Sequence, residues 1–198
     1  MKVTEICVVP AERRIRLTVE MPNPDRFLTS QAPHLPRRLF RLFPNLSQHK
    51  CENGRGYTFR RECRQTEIPH LFEHLIIELQ AQAQPAEVLR GETHWNWRVD
   101  PKGRFHVFVD YENELLAVGA IRLAERILQS LDERHLEDVD AELEMARLRE
   151  VARLGRALMG QEKEPQGDGK TVPVTASCSP VRSPTRVPAN GTQKARGR

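Results

Sequence analysis

The stretch Phe105–Tyr111, with the sequence FHVFVDY, determines our interpretation of the fold. Every second side chain in it is apolar or aromatic and falls on one face of a strand, while Phe108 falls on the other face. A helix is predicted to follow over 113–131, because apolar residues such as Ile121 and Leu128 recur at helical spacing. The stretch therefore predicts a central strand that is followed by an amphipathic helix.

Further strand and helix signals surround this pair. The run 15–20 alternates apolar and polar residues, which indicates a strand with one face in water. The same reasoning predicts helices over 36–43, 67–82 and 136–158, and a strand over 56–59 after a turn at Asn53-Gly54. Because strand and helix signals mix without a regular alternation, we expect an α+β fold, with an antiparallel sheet and helices packed mainly on one face.

Length and composition limit the class of protein. A chain of 198 residues, 38% hydrophobic and 29% charged, suits one ordinary soluble domain with an appendage. Prolines, glycines, hydroxyl residues and basic residues dominate 161–198, which predicts a disordered basic tail. We find neither an apolar run long enough to span a membrane nor a secretory signal, and we therefore expect a cytoplasmic protein.

Charge and cysteine content narrow the choice of partners. The formal net charge of +4 is modest and comes largely from the tail, and the rest of the chain lacks interleaved basic and aromatic residues. A nucleic-acid partner is therefore not favoured. The four cysteines are widely spaced without a C-x-x-C pair, which indicates thiols and not a disulfide framework.

The predicted helix over 67–82 contains the pattern His70-Leu71-Phe72-Glu73-His74. His70 and His74 lie one turn apart with Glu73 beside them, and apolar residues on the opposite side are expected to aim all three toward a cleft. Two imidazoles at this spacing can bind one metal ion, and the carboxylate can take a proton from water. H-x-x-E-H is the inverzincin order, although histidines without any ligand remain the competing interpretation.

A catalytic zinc ion needs a third protein ligand. Our candidate is Glu114, in the first turn of the helix predicted over 113–131 and at the head of its apolar stripe. A carboxylate at a helix start is also favoured by the helix dipole, so a purely structural role is the alternative. His94 and His106 are competing third ligands, which we rank lower.

Together these motifs resemble the N-terminal domain of cyanophycin synthetase, the enzyme that polymerises aspartate and arginine into a storage peptide. The resemblance covers about 1–155. The residues that carry it are the run HLFEHLIIELQ at 70–80, Gly91-x-Thr93, the run VFVDY-x-NE at 107–114 and Val151–Gly155. It implies a cyanophycin synthetase N-terminal-like domain over 1–134 and a charged helix over 135–160 that resembles the linker to the ligase part, with the tail over 161–198.

The resemblance implies that the domain holds the peptide polymer and, in some members, cuts it at a metallopeptidase-like site. It assigns His70 and His74 as zinc ligands, Glu73 as the general base and Glu114 as the third ligand. His94 stands where we expect a permanently charged basic residue, which leaves open whether the substrate is cyanophycin or a related peptide polymer.

Two functions follow from the resemblance. One is a zinc-dependent hydrolase of a cyanophycin-like peptide polymer. The other is a non-catalytic module that binds the polymer or docks onto a separate ligase. The ligase domains of the family would need several hundred further residues, so we expect a stand-alone domain and not a synthetase.

Overall fold

The fold is seen in a computed structural model that describes residues 1–51, 56–86, 88–133, 139–158, 160 and 175–176. In chain order its strands and helices are β1 (Lys2–Val9), β2 (Arg14–Glu20), α1 (His34–Leu42), β3 (Lys50–Cys51), α2 (Phe59–Glu62), α3 (Ile68–Ala83), β4 (Gly91–His94), β5 (Arg104–Asp110), α4 (Glu114–Asp132), α5 (Ala141–Leu158) and β6 (Thr175–Ala176). Short 3₁₀ helices cover Pro10–Glu12, Thr29–Gln31 and Pro44–Gln48.

The main sheet has the strand order β1-β2-β5-β4, and every neighbouring pair is antiparallel. β5 is a central strand, as the sequence predicts. Ile15 of β2 pairs with Val109 of β5, and Leu17 pairs with Val107, so that fully buried apolar side chains meet across the two strands. The intervening residues are partly or fully exposed, which confirms the prediction of one wet face.

Helix α3 forms the middle layer of the fold. It contacts β4 and β5 on one side and α4 and α5 on another, and every residue from Ile68 to Gln80 is buried. A helix that is packed on all sides can satisfy its polar side chains only with partners inside the protein. The α+β class, with an antiparallel sheet and helices beside it, is therefore confirmed, and the chemistry-bearing helix lies in its interior.

Asn113 joins the last two helices. Its side chain accepts a hydrogen bond from the Leu116 amide at the start of α4 and donates one to the Ala152 carbonyl oxygen of α5. Gly155 faces this side chain closely, because a Cβ atom there would lie 2.7 Å from Asn113 Nδ2. Asn113 belongs to the run 107–114, and Ala152 and Gly155 belong to Val151–Gly155. These two segments, which both carry the family resemblance, are therefore in direct contact.

Some local predictions were wrong or lie outside the described residues. Residues 56–59 do not form a strand, because Phe59 begins α2 and places its ring in the core. The Asn53-Gly54 turn, the first residues of the helix predicted over 136–158 and all of the predicted tail except 175–176 lie outside the described residues. The division into 1–134, 135–160 and 161–198 stays a prediction.

Candidate metal centre

Three potential metal donors converge beside the N-terminal half of α3. His70 and His74 come from successive turns of the helix, and Cys51 comes from the end of β3. The His70 Nε2 atom lies 3.1 Å from His74 Nε2 and 3.6 Å from Cys51 Sγ, and one donor atom from each residue falls within 4.8 Å of the others. We call Cys51, His70 and His74 the donor triad.

Two of the three distances within the donor triad fit a tetrahedral zinc ion. With Zn–N bonds of about 2.0 to 2.1 Å and Zn–S bonds of about 2.3 Å, tetrahedral angles separate two nitrogens by about 3.3 Å and a nitrogen from a sulfur by about 3.6 Å. The His70–His74 and His70–Cys51 separations, 3.1 and 3.6 Å, are close to these values, and the donor atoms of Cys51 and His74 lie within 4.8 Å of each other. Imidazole and thiolate are also the ligand types that zinc prefers. The residues present therefore fit the metal that the sequence predicts.

A chain of hydrogen bonds fixes the orientation of His74. The His49 Nε2 atom lies 2.7 Å from Glu78 Oε2, and His49 Nδ1 lies 3.1 Å from His74 Nδ1. An ionised Glu78 carboxylate can only accept, so we assign the Nε2 proton to His49, whose Nδ1 then accepts from His74. The remaining nitrogen of His74, Nε2, keeps its lone pair and faces the donor triad.

His70 is oriented in the same way from the other side. Its Nδ1 atom lies 2.7 Å from the hydroxyl oxygen of Thr66, which in turn donates toward Glu67. When the Nδ1–H group of His70 donates to the Thr66 oxygen, His70 Nε2 also presents a lone pair. Two lone pairs 3.1 Å apart need a cation between them, either a proton or a metal ion. This second layer of partners is typical of metal-ligating histidines.

The two histidines differ in their affinity for protons. Burial and the neighbouring His70 and His49 hold the pKa of His74 well below its usual range. Burial also lowers the pKa of His70, but the hydrogen bond to Cys51 and the charge of Glu73 oppose this effect, and the net shift of the pKa is upward. The donor triad therefore contains one imidazole that stays neutral, which is the form that binds metal.

Glu73 is held next to the histidines by strand β4. The Thr93 hydroxyl donates a hydrogen bond of 2.6 Å to Glu73 Oε2, while a Cβ atom on Gly91 would lie only 2.7 Å from Glu73 Oε1. Within the described part of the chain, Oε1 is buried and has no hydrogen-bond partner. Burial raises the pKa of Glu73 to about 7, although the charge of His70 and the Thr93 hydrogen bond act in the opposite direction.

The whole cluster is enclosed. His70 is 4% exposed, and Glu73 and His74 are fully buried, so the expectation that these residues point into a cleft was wrong. The ring of Phe59 stacks on His74 with 3.6 Å between centroids and covers one face of it. The sequence pattern predicted an apolar stripe on α3. It did not predict that β4 and Phe59 would cover the side of the helix that carries His74 and Glu73.

The structure separates the other predicted ligands from the donor triad. Glu114 is exposed at the first position of α4, and it belongs to no group of three metal donors among the described residues. Its assignment as a zinc ligand stays a prediction. His94 lies 3.1 Å from Glu92 and His106 lies 3.1 Å from Asp100, so each of these alternative ligands has a carboxylate partner outside the triad.

Sequence reasoning missed Cys51 and His49. They are 19 and 25 residues from their histidine partners and share no helix with them, so no spacing rule connects the two sets. Cys51 was visible only as one of four scattered cysteines. The signal that could have directed attention to it is the chemistry of zinc, which accepts cysteine thiolates as well as imidazoles and carboxylates.

The hydrogen bond from His74 to His49 yields a first prediction. We expect His49→Ala to weaken zinc binding about 10- to 100-fold, because His74 loses the partner that orients it and fixes its tautomer. Competition with a chromophoric chelator measures this affinity. His94→Ala removes a histidine outside the donor triad and serves as the control. Parent affinity in the His49 variant would show that this hydrogen bond does not support metal binding.

Comparisons with known proteins identify the family of this domain. The family described as the cyanophycin synthase-like N-terminal domain matches residues 14–133, a range that contains the donor triad, Glu73 and β4. A search of curated proteins returns no match. No helix among the described residues is both long and apolar enough to cross a membrane. Because the match extends over more than half of the chain, this protein belongs to the family of cyanophycin synthase-like N-terminal domains.

Proposed function

We propose that the chain is a zinc-dependent hydrolase of a cyanophycin-like peptide polymer. The observation that carries the proposal is Glu73, a fully buried carboxyl group beside the two histidines of the donor triad. Its Oε1 atom accepts no hydrogen bond within the described residues. A buried polar atom without a partner is costly and is retained where it has a role. The family supports the choice of a polymer of aspartate and arginine as substrate.

Cys51, His70 and His74 would hold the zinc ion, and three protein ligands are the number typical of catalytic zinc sites. When bound there, zinc supplies a Lewis acid that polarises a carbonyl group and lowers the pKa of water to about 7. In this proposal the thiolate of Cys51 takes the place of Glu114 as the third ligand beside the two predicted histidines.

Glu73 would act as the general base. Its Oε2 atom is held by Thr93, so Oε1 is the atom available to take a proton from the attacking water and to return it to the leaving amine nitrogen. A base is most effective when its pKa lies near the working pH, and burial raises the pKa of Glu73 to about 7. The chain would therefore combine a metal site with a base suited to amide hydrolysis.

One observation favours a second function, the non-catalytic module that binds the polymer or docks onto a separate ligase. Among the described residues the donor triad is almost fully buried, with Cys51 9% and His70 4% exposed, which leaves little room for a long polymer to reach it. An enclosed zinc ion would then stabilise the fold without touching the substrate. The two functions differ in whether peptide bonds are cut.

One experiment distinguishes the hydrolase from the binding module. The full chain is loaded with one equivalent of zinc and incubated with insoluble cyanophycin. We expect soluble aspartate-arginine peptides to accumulate, as measured by mass spectrometry, and to stop accumulating when a chelator removes the metal. Sedimentation of the same mixture reports binding. A zinc-loaded chain that sediments with the polymer and releases no peptide would overturn the hydrolase and support the binding module.

A further inference from the structure

A second site, separate from the metal centre, lies between α1 and the segment around α2. It is a surface cavity of about 920 Å³, and no residue of the donor triad lines it. Its walls carry five arginines and no acidic residue: Arg37, Arg41, Arg60, Arg61 and Arg64. We call this cavity the arginine groove. Its volume lies within the range of small-molecule pockets, about 300 to 1,000 Å³.

In the part of the chain that the structure describes, the arginine groove keeps its positive charge. Within the described ranges, none of its five arginines forms an ion pair, whereas Arg14, Arg26 and Arg104 each contact a carboxylate elsewhere. Arg61 is instead positioned by Tyr57, because its guanidinium carbon lies 3.8 Å from the centre of that ring. The groove therefore presents guanidinium groups that are available to a ligand.

The spacing of two of these arginines increases their mutual repulsion. Arg37 and Arg41 are one turn apart on α1, and like charges at this spacing destabilise a helix. Arg60 and Arg61 belong to α2, and Arg64 follows two residues after its end. An anion bound in the cavity would remove the repulsion between Arg37 and Arg41.

The lining also indicates what kind of anion fits. A guanidinium group binds phosphate or carboxylate through two parallel hydrogen bonds, and several such groups favour a ligand with several anionic groups. Phe40 and Pro36 add an apolar wall, and Thr58 adds a hydroxyl group. We infer that the arginine groove binds a small oligoanion, a molecule that carries two or more phosphate or carboxylate groups. The inference does not depend on the proposed hydrolase.

Isothermal titration of the full chain with tripolyphosphate and, separately, with citrate tests this inference and distinguishes the two sources of anionic groups. We expect at least one of them to bind with a one-to-one stoichiometry. The double substitution Arg41→Gln and Arg60→Gln, one on each wall, is expected to raise the dissociation constant about ten-fold or more. Arg41→Lys with Arg60→Lys should raise the dissociation constant less, because lysine keeps the positive charge but cannot form the two parallel hydrogen bonds of a guanidinium group.

The matched control removes two positive charges from other exposed positions, Arg16 on β2 and Arg149 on α5. Arg16→Gln with Arg149→Gln should change the dissociation constant less than about two-fold, because surface charges far from a site act only through a screened field. Circular dichroism melting verifies that each variant is folded. Equal weakening by the groove variant and the control, or no binding of either anion at about 1 mM, would overturn the inference.

Discussion

Substituting Glu73→Gln is expected to reduce polymer hydrolysis by about 10²- to 10⁴-fold, the usual contribution of a general base, while the chain still binds zinc. The amide keeps the shape of the side chain, and its oxygen can still accept the hydrogen bond from Thr93, but it cannot take up a proton at neutral pH. Initial rates of peptide release at saturating polymer, measured together with zinc content, separate the loss of the base from the loss of the metal.

Glu92→Gln is the matched control, because Glu92 belongs to the same strand, β4, but points away from Glu73 and contacts Arg14 and His94. It should leave the rate of peptide release nearly unchanged. Parent activity in the Glu73 variant would refute its role as the base. Loss of zinc in that variant would instead indicate that Glu73 supports the donor triad directly.

Removing Cys51 is expected to produce the largest change in metal affinity. Zinc affinity should fall more than about 100-fold in Cys51→Ala and in His74→Ala. Removing a residue that only hydrogen-bonds to a metal ligand typically lowers metal affinity about 10- to 100-fold, and removing a ligand itself should lower it further. The distances in the donor triad are the reason to expect a direct bond to the Cys51 sulfur. Inductively coupled plasma mass spectrometry of dialysed protein gives the stoichiometry.

Cys63→Ala and Glu114→Ala are the controls. Cys63 is also a buried thiol, but burial raises its pKa well above the usual range, so it is held in the neutral form that does not bind metal. Glu114 is exposed at the start of α4. Both variants should retain one zinc ion per chain. Zinc loss in Glu114→Ala together with retention in Cys51→Ala would restore the ligand set predicted from the sequence.

The fold was predictable where the periodicity of side chains is strong. The strand over 105–111 and the helix that follows it have clear patterns, and the structure places β5 and α4 within a residue or two of the predictions. β1 and β4 were not predicted. β1 lacks a regular alternation of buried and exposed residues, and β4 has only four residues and begins with glycine, so neither pattern identifies a strand by itself.

The candidate site was predictable only in its local part. His70, Glu73 and His74 share one helix, so their spacing shows that they share a face. The burial of that face depends on β4, Phe59 and the other helices, whose positions arise from tertiary packing. The same holds for Cys51, which reaches His70 from a separate strand. Short-range periodicity contains no information about such contacts.

The contact between β4 and Glu73 also constrains how the edge strand can pair during folding. Gly91 and Thr93 face the core, and Glu92 between them faces outward. A slip of one residue along β5 would turn Glu92 inward, toward the buried carboxyl group of Glu73, and would remove the glycine that makes room for it. Two carboxyl groups would then be buried side by side, where desolvation and mutual repulsion disfavour their charged forms. Both electrostatics and shape therefore disfavour the misaligned pairing.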